Sequence, residues 1–297
     1  MSPEQASPPT PLSPADFRVI ERLRVRWAEV DAQQVVFNGH YLMYADTALS
    51  AWWRAQALAW GPTLEALGGD LFVRRSVLEH EAPARLDDVL EIGVRYAGVG
   101  RSSLRFEVAV FHEQRRLATV SLVYVWVDEH SRQPAPVPPA LSGAFAAFEA
   151  GSEPVSVQVG DWARLQPAAQ PVRTEVFVQE QQIPAELELD AADATAVHAV
   201  AFNALGAALG TGRLLAADAQ GLGRIGRMAV RRPLRGSRVG RRVLDALVEA
   251  ARARGDRGVL LHAQMSAAGF YLRAGFQPRG PQFEEAGIAH LEMTLHF

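Results

Sequence analysis

The chain has 297 residues, 48% hydrophobic and 21% charged, enough for two domains of ordinary size that each bury a core. Its formal net charge of −3 leaves no basic stripe for counterion release, which excludes nucleic acid as an expected partner. There is no Cys and all 30 basic residues are Arg, which removes disulfides, thiolate nucleophiles, sulfur-ligated zinc, Schiff-base chemistry and the Walker phosphate loop, and points to a reducing, cytoplasmic setting.

Residues 1–15, rich in Pro and Ser, have neither the basic nor the apolar region of a targeting signal and are expected to form a disordered tail. Every hydrophobic stretch is broken by Arg, Asp or Glu before the roughly 18–20 residues that cross a bilayer, so no membrane partner is expected. From residue 17 to 126 the pattern predicts a strand, a long helix and several further strands. Residues 38–60 carry Leu42, Ala45, Leu49, Trp52 and Trp53 at spacings of three and four, one helical face, with Gly61-Pro62 as its stop. Tyr44, Trp52 and Trp53 are equally compatible with a core and with the lining of a ligand pocket. Leu90, Ile92, Val94 and Tyr96 alternate, as do Leu104, Phe106, Val108 and Val110, the period of half-buried strands. Residues 120–127 are apolar on both parities and predict a central strand covered on both faces, the long helix being one cover. Residues 131–139 are Pro-rich, 141–148 can form a short helix, and the Gly151-Ser152-Glu153-Pro154 joint predicts a boundary between domains over 16–150 and 151–297.

In the second domain, residues 196–202, 210–216 and 224–230 read as strands. Residues 237–255 read as a helix with the stripe Val239, Val243, Leu247 and Ala251 and a Gly255 stop. A strand over 258–262, a short helix over 267–274 and a last strand over 290–297 follow. The eight His are scattered, with no i, i+4 pair beside an acidic partner, so no metal site is expected; nor is there a G-x-S-x-G nucleophile turn.

The segment VRWAEVDAQQVVFNGHYLMYAD, the EAPARLDD run before a strand and the closing Pro-rich stretch resemble the hotdog-fold acyl-CoA thioesterases of the 4-hydroxybenzoyl-CoA and YbgC-like group, over residues 17–148. The resemblance implies an antiparallel sheet wrapped on a long helix, with Asp31 as nucleophile or as base for water. It also implies a donor at Asn38, and assembly as a homodimer or homotetramer with sites between subunits. A carboxylate ahead of a helix whose first N–H groups, at Asn38 and Gly39, are free sets an attacking group beside an oxyanion site. Asp31 as a simple turn cap is the competing role. Some relatives carry His where Asn38 stands, and His40 is a second candidate for that helping group.

RIGRMAVRRPLRGSRVGRRVL resembles the cofactor segment of the GNAT acetyltransferases, in which a strand, a tight turn and a helix N-terminus receive a pyrophosphate. EVFVQEQQIPAELELD, GTGRL, LHAQ, FYLRAGF and FEEAGIAH follow the order of the ElaA-like branch, over residues 154–297. The resemblance implies an α/β domain that takes acetyl-CoA or CoA as substrate. Met228, Ala229 and Val230 would meet pantetheine and the thioester carbonyl, and Arg235, Gly236, Ser237, Arg238, Val239, Gly240 and Arg241 would cradle the phosphates. Arg238 stands where the pattern has Gly, and either crowds the phosphates or adds a cation; a left-handed backbone there costs Arg about 1–2 kcal/mol. Tyr271 matches the acid that protonates the leaving thiolate, with a core aromatic as the alternative role. Glu175, Glu180, His262, Glu285 and His290 are candidates to bind or deprotonate an acceptor amine, or are satisfied polar groups.

Together these expectations describe an α+β fusion that hydrolyses an acyl-CoA with its first domain and acetylates a small amine with its second. The alternative is a CoA-binding regulatory or scaffold protein with one or neither domain active.

Overall fold

The computed structural model describes residues 12–297 except residue 286. Of the segment read as a disordered tail, residues 1–11 lie outside the described residues. Leu12 packs on the Phe17, Ala109 and Phe111 cluster, and Ser13 donates from its N–H (2.7 Å) and hydroxyl (2.9 Å) to Asp16, capping one 3₁₀ turn, Pro14–Asp16. The chain divides into two compact units, Met1–Ser152 and Glu153–Phe297.

In the first unit β1 (Val19–Arg24) leads through a 3₁₀ turn, Trp27–Glu29, to α1 (His40–Ala55) and α2 (Trp60–Ala66). Four strands follow: β2 (Gly69–His80), β3 (Val89–Val99), β4 (Ser103–His112) and β5 (Arg115–Asp128), then α3 (Pro139–Glu149). The sheet is antiparallel throughout, in the order β1-β3-β4-β5-β2, so β4 is its centre and β5 lies next to the edge. The expectation of a central strand over 120–127 is corrected accordingly. Val120, Leu122, Tyr124 and Trp126 are buried on one parity; on the other Ser121 is exposed, Val123 and Val127 are half-buried and Val125 is buried, so the second face is partly covered.

α1 buries Tyr41, Tyr44, Ala45, Ala48, Leu49, Trp52 and Trp53, a stripe at spacings of three and four that lies across the sheet; Leu42, expected on it, points outward at 36% exposure. The Trp52 ring, fully buried, meets Phe106, Phe145 and Phe148 edge-on at 4.9–5.8 Å, and its Nε1 donates to Glu149 Oε1 at 2.9 Å, which satisfies its one polar atom. Gly93 of β3, paired with Ile20 of β1 and Ala109 of β4, makes room for the Phe17 ring on the sheet face, since a Cβ there would run into that ring. Gly61 and Pro62 do not stop α1. It ends at Ala55, Ala57 takes a left-handed φ of 54°, and the pair sits in the first turn of α2, where a missing N–H costs nothing.

The second unit opens with β6 (Val155–Gly160), α4 (Trp162–Arg173), a π-helical continuation Thr174–Glu180, and α5 (Ala185–Glu188). None of these was expected, because β6 is short and α4 carries Pro167 and Pro171. Next come β7 (Val197–Asn203), β8 (Ala208–Ala217), β9 (Leu222–Val230), α6 (Val239–Arg254), β10 (Gly258–Gln264), α7 (Ala268–Arg273), β11 (Gln277–Glu285) and β12 (Ile288–His296). The sheet order is β11-β12-β10-β9-β8-β7-β6, with β9 and β10 its one parallel pair and β11 a strand the sequence reading missed. Val200 lies under Leu165 and Ala169 of α4, whereas a Cβ on Gly212 would meet Val243 and Leu247 of α6. Since Val200 pairs with Thr211, the neighbour of Gly212, alternation puts the two helices on opposite faces. Among the described residues no helix is long and apolar enough to cross a membrane.

Candidate functional sites

In the first unit the stretch between β1 and α1 is a closed loop. Asp31 N–H donates to Val35 O at 2.9 Å, Gln34 N–H to Asp31 O at 3.0 Å, and Phe37 N–H to Glu29 O at 2.9 Å. Asp31 is half-buried, and one carboxylate oxygen accepts the Gln33 N–H at 2.8 Å. The turn-capping role is therefore real, and it occupies one oxygen only; the other has no partner among the described residues. Asn38 and Gly39 are exposed immediately ahead of α1, and their N–H groups donate to no described residue. His40 opens the helix, half-buried, its ring edge-on to Phe37 at 6.0 Å. Sequence reasoning missed Glu29, which lies beneath this loop at 2% exposure and accepts the Tyr44 hydroxyl at 2.8 Å. The available signal was the Arg26-x-x-Glu29 spacing just before Asp31.

In the second unit the sheet parts. β9 and β10 pair only over 222–225 against 258–261, and beyond that point β9 runs on alone to Val230 on this side. A bulge against β8 sharpens the divergence, with Arg227 at a φ of 51°. The β10-side edge of β9 beyond Ile225 has no ladder partner, while on the other side Ala229 and Val230 stay in register with Thr211 and Gly210 of β8, so the backbone groups that alternate away from β8 face the gap. A cavity of about 530 Å³ opens at the gap, lined among others by Met228, His262, Tyr271, Glu285 and His290. The Tyr271 ring is 93% covered, and burial pushes its phenol up to about 12, so it holds its proton at neutral pH; its hydroxyl has no partner among the described residues. His262 Nδ1 lies 3.1 Å from Glu285 Oε2 and 3.0 Å from an Arg224 amine, and His262 Nε2 is 3.6 Å from Glu292. Burial pushes the Glu285 carboxyl up, and the His262 bond and neighbouring cations outweigh that and hold it low. His290 stacks on Phe283, whose edge meets His262, so the three form one wall.

Glu175 does not join them. It faces Arg231 at 3.5 Å beside a separate, shallower cavity of about 480 Å³ lined by Gln166, Gln170 and Gln179. Glu180 is likewise engaged elsewhere: Arg235 grips its carboxylate with two bonds of 2.7 and 2.6 Å and also donates to Val230 O. Gly236 takes a φ of 86° and Arg238 a φ of 65°, so the turn into α6 is left-handed at the position where the sequence substitutes Arg for Gly. The Arg238 side chain is exposed and has no partner among the described residues, while Arg241 pairs with Asp245 at 2.8 Å. Val239 is buried, and Gly240 lets α6 approach β9, where a Cβ would come 3.3 Å from Val230. Arg238→Gly is expected to stabilise the second unit by about 1 kcal/mol through relief of that strain, which calorimetry of the full chain measures.

A second feature escaped the sequence reading. Arg173 at the end of α4 is 1% exposed and donates to Asp193 at 2.8 and 3.0 Å and to Glu188; Arg213 of β8 donates to Asp193 at 2.8 Å and to Asp190 at 2.7 Å. Arg227 adds bonds to the carbonyls of Leu187 and Glu188 at 2.9 Å. These cations hold the segment that brings Leu187 and Glu188 to the cavity wall.

Two family models match the chain: the thioesterase-like superfamily over residues 25–145 and the acetyltransferase (GNAT) domain over residues 165–297. An uncharacterized N-acetyltransferase, YjcF of Bacillus subtilis (strain 168), is 37% identical over 123 residues, 41% of this chain and 86% of that protein. The acyl-CoA thioester hydrolase YbgC of Escherichia coli O157:H7 is 27% identical over 124 residues, 41% of this chain and 92% of that protein. A solved thioesterase of Thermus thermophilus, complexed with coenzyme A and zinc, is 30% identical, covering 46% of this chain and 98% of that one, with a TM-score of 0.41. The chain belongs to the thioesterase-like superfamily through its first unit and to the GNAT acetyltransferases through its second. CoA thioesters are the substrates common to these two families. Among the described residues no group of three or more His, Asp or Glu is placed to hold a metal ion.

Proposed function

We propose that both units are active on CoA thioesters, the first hydrolysing an acyl-CoA and the second moving an acetyl group from acetyl-CoA to a small amine. The observation that carries the second activity is the parting of β9 from β10 beside a cavity that holds the unpartnered Tyr271 hydroxyl. In this reading the amine attacks the thioester carbonyl, and an N–H on the β10-side edge of residues 228–230, turned away from β8, receives the developing oxyanion. The carbon–sulfur bond breaks and Tyr271 protonates the departing thiolate. His262, paired with Glu285, takes the proton from the incoming ammonium, and residues 235–241 hold the phosphates at the start of α6. Tyr271→Phe is expected to lower kcat for acetyl transfer by about 10²-fold and leave hydrolysis by the first unit unchanged. An unchanged transfer rate would remove Tyr271 from the mechanism.

In the first unit Asp31 attacks the thioester or activates water, and the N–H groups at Asn38 and Gly39 stabilise the tetrahedral oxyanion. The unpaired outer edge of β2, with Phe72 and Val73 44% and 50% exposed, supports assembly as a homodimer or homotetramer, which light scattering of the full chain tests. We place the enzyme in the cytoplasm with its CoA substrates. A CoA-binding regulatory role for the second unit is the other reading, and the grip of Glu180 on Arg235 favours it, since it takes up a cation expected at the phosphates.

A further inference from the structure

We propose that Glu29 is the positioning residue of the hydrolytic site, a buried anchor that locks the loop carrying Asp31 to the helix that carries the oxyanion donors. This rests on the reading of Asp31 as the reacting carboxylate. Glu29 is 2% exposed, and every polar atom of its side chain and its carbonyl is committed. Oε2 accepts the Tyr44 hydroxyl and the Arg26 N–H, both at 2.8 Å, and Oε1 accepts Arg26 Nε at 2.7 Å and its terminal amine. The Glu29 carbonyl accepts the Phe37 N–H at 2.9 Å, closing the neck of the loop, and Val30 and Val36 form a bridge inside that neck.

One residue therefore makes two different ties. Its backbone joins the two ends of the loop, with Asp31 two positions along, and its carboxylate reaches Tyr44, one turn into α1 and itself 2% exposed. The donors proposed at Asn38 and Gly39 stand at the start of that same helix. Attacking carboxylate and oxyanion donors are thus referred to one fixed point. A charge is retained there although an apolar side chain of similar volume would fill the space, and charge-assisted bonds are shorter and more directional than neutral ones. The chemistry that needs such direction is the alignment of a nucleophile, where a displacement of about 1 Å costs on the order of 10²-fold in rate.

The experiment uses the full chain and two variants: Tyr44→Phe, which removes one hydroxyl without changing core volume, and Glu29→Gln, which keeps the size and one acceptor. Acyl-CoA hydrolysis is resolved into kcat and KM, and amide hydrogen exchange is followed in the 30–38 loop and in β3 to β5. Tyr44→Phe is expected to lower kcat by about 10- to 100-fold with KM within about twofold. Exchange in the loop should quicken about tenfold or more while the sheet is unchanged. In an Asp31→Asn background Tyr44→Phe should cost nothing further. A kcat within about twofold of the parent, a further loss on top of Asp31→Asn, or quickened exchange across the sheet in both variants would each overturn the assignment. If the parent protein hydrolyses no acyl-CoA, the reading of Asp31 fails, and the exchange measurement still decides whether Glu29 and Tyr44 lock the loop.

Discussion

Asp31→Asn is expected to lower acyl-CoA hydrolysis by about 10³-fold or more, about 4 kcal/mol of barrier, with little change in KM. The substitution separates the two roles that Asp31 can play. Asn accepts the Gln33 N–H as well as Asp does, and Asn and Asp are equivalent as turn and helix caps, so the loop geometry survives. What is lost is the negative charge on the oxygen that has no partner among the described residues, and with it the ability to attack a carbonyl carbon or to take a proton from water. Acetyl transfer by the second unit is expected to be unaffected. A hydrolysis rate unchanged in the variant would leave Asp31 with its turn-capping role alone.

Asp193→Ala is expected to destabilise the second unit by about 3–5 kcal/mol, because it strands Arg173 and Arg213, 1% and 6% exposed, beside a missing carboxylate. Over a unit of this size that corresponds to a fall in melting temperature of about 10 °C. The same group makes stability depend on acid. Burial would push the Asp193 carboxyl up, but the bonds from Arg173 and Arg213 outweigh it and hold it at about 2, below its ordinary value of 3.8. A group depressed on folding contributes fully above its unfolded value, and the contribution disappears as pH falls from about 4 through about 2. It amounts to about 2 kcal/mol at neutral pH. Melting curves of the parent protein and of Asp193→Asn between pH 7 and 2 measure it; the variant should lose less stability across that window than the parent does.

The parts of the fold that were legible in the sequence are those set by local periodicity. The buried stripe of α1, the alternation in β3 and β4 and the amphipathic α6 with its Gly255 stop all follow from side-chain spacing, and the structure places them within a few residues of the expected bounds. Where local signals conflict, the reading missed. Pro167 and Pro171 obscured α4, and the end of α1 is set by a left-handed Ala57 that nothing in its side chain advertises. The exposed β11 shows no alternation for a pattern to find. The candidate sites divide in the same way. Asp31, Asn38, Gly39 and His40 are neighbours in sequence and could be grouped by reading along it, whereas the engagement of Arg235 by Glu180 and of Arg173 by Asp193 depends on tertiary contacts that no spacing encodes. Glu29 falls between these cases: its tie to Arg26 is local, and its tie to Tyr44 required knowing which face of α1 is buried.

Thiol release from a panel of acyl-CoAs, read with a thiol-reactive dye first without and then with candidate amines, tests the central claim most directly, since a chain with no Cys adds no background of its own. The account predicts release without amine that disappears in Asp31→Asn. It also predicts additional release from acetyl-CoA with an amine that falls in Tyr271→Phe and persists in Asp31→Asn. Absence of release from every acyl-CoA, with or without amine, while CoA still binds, would contradict it and leave a CoA-binding protein without turnover.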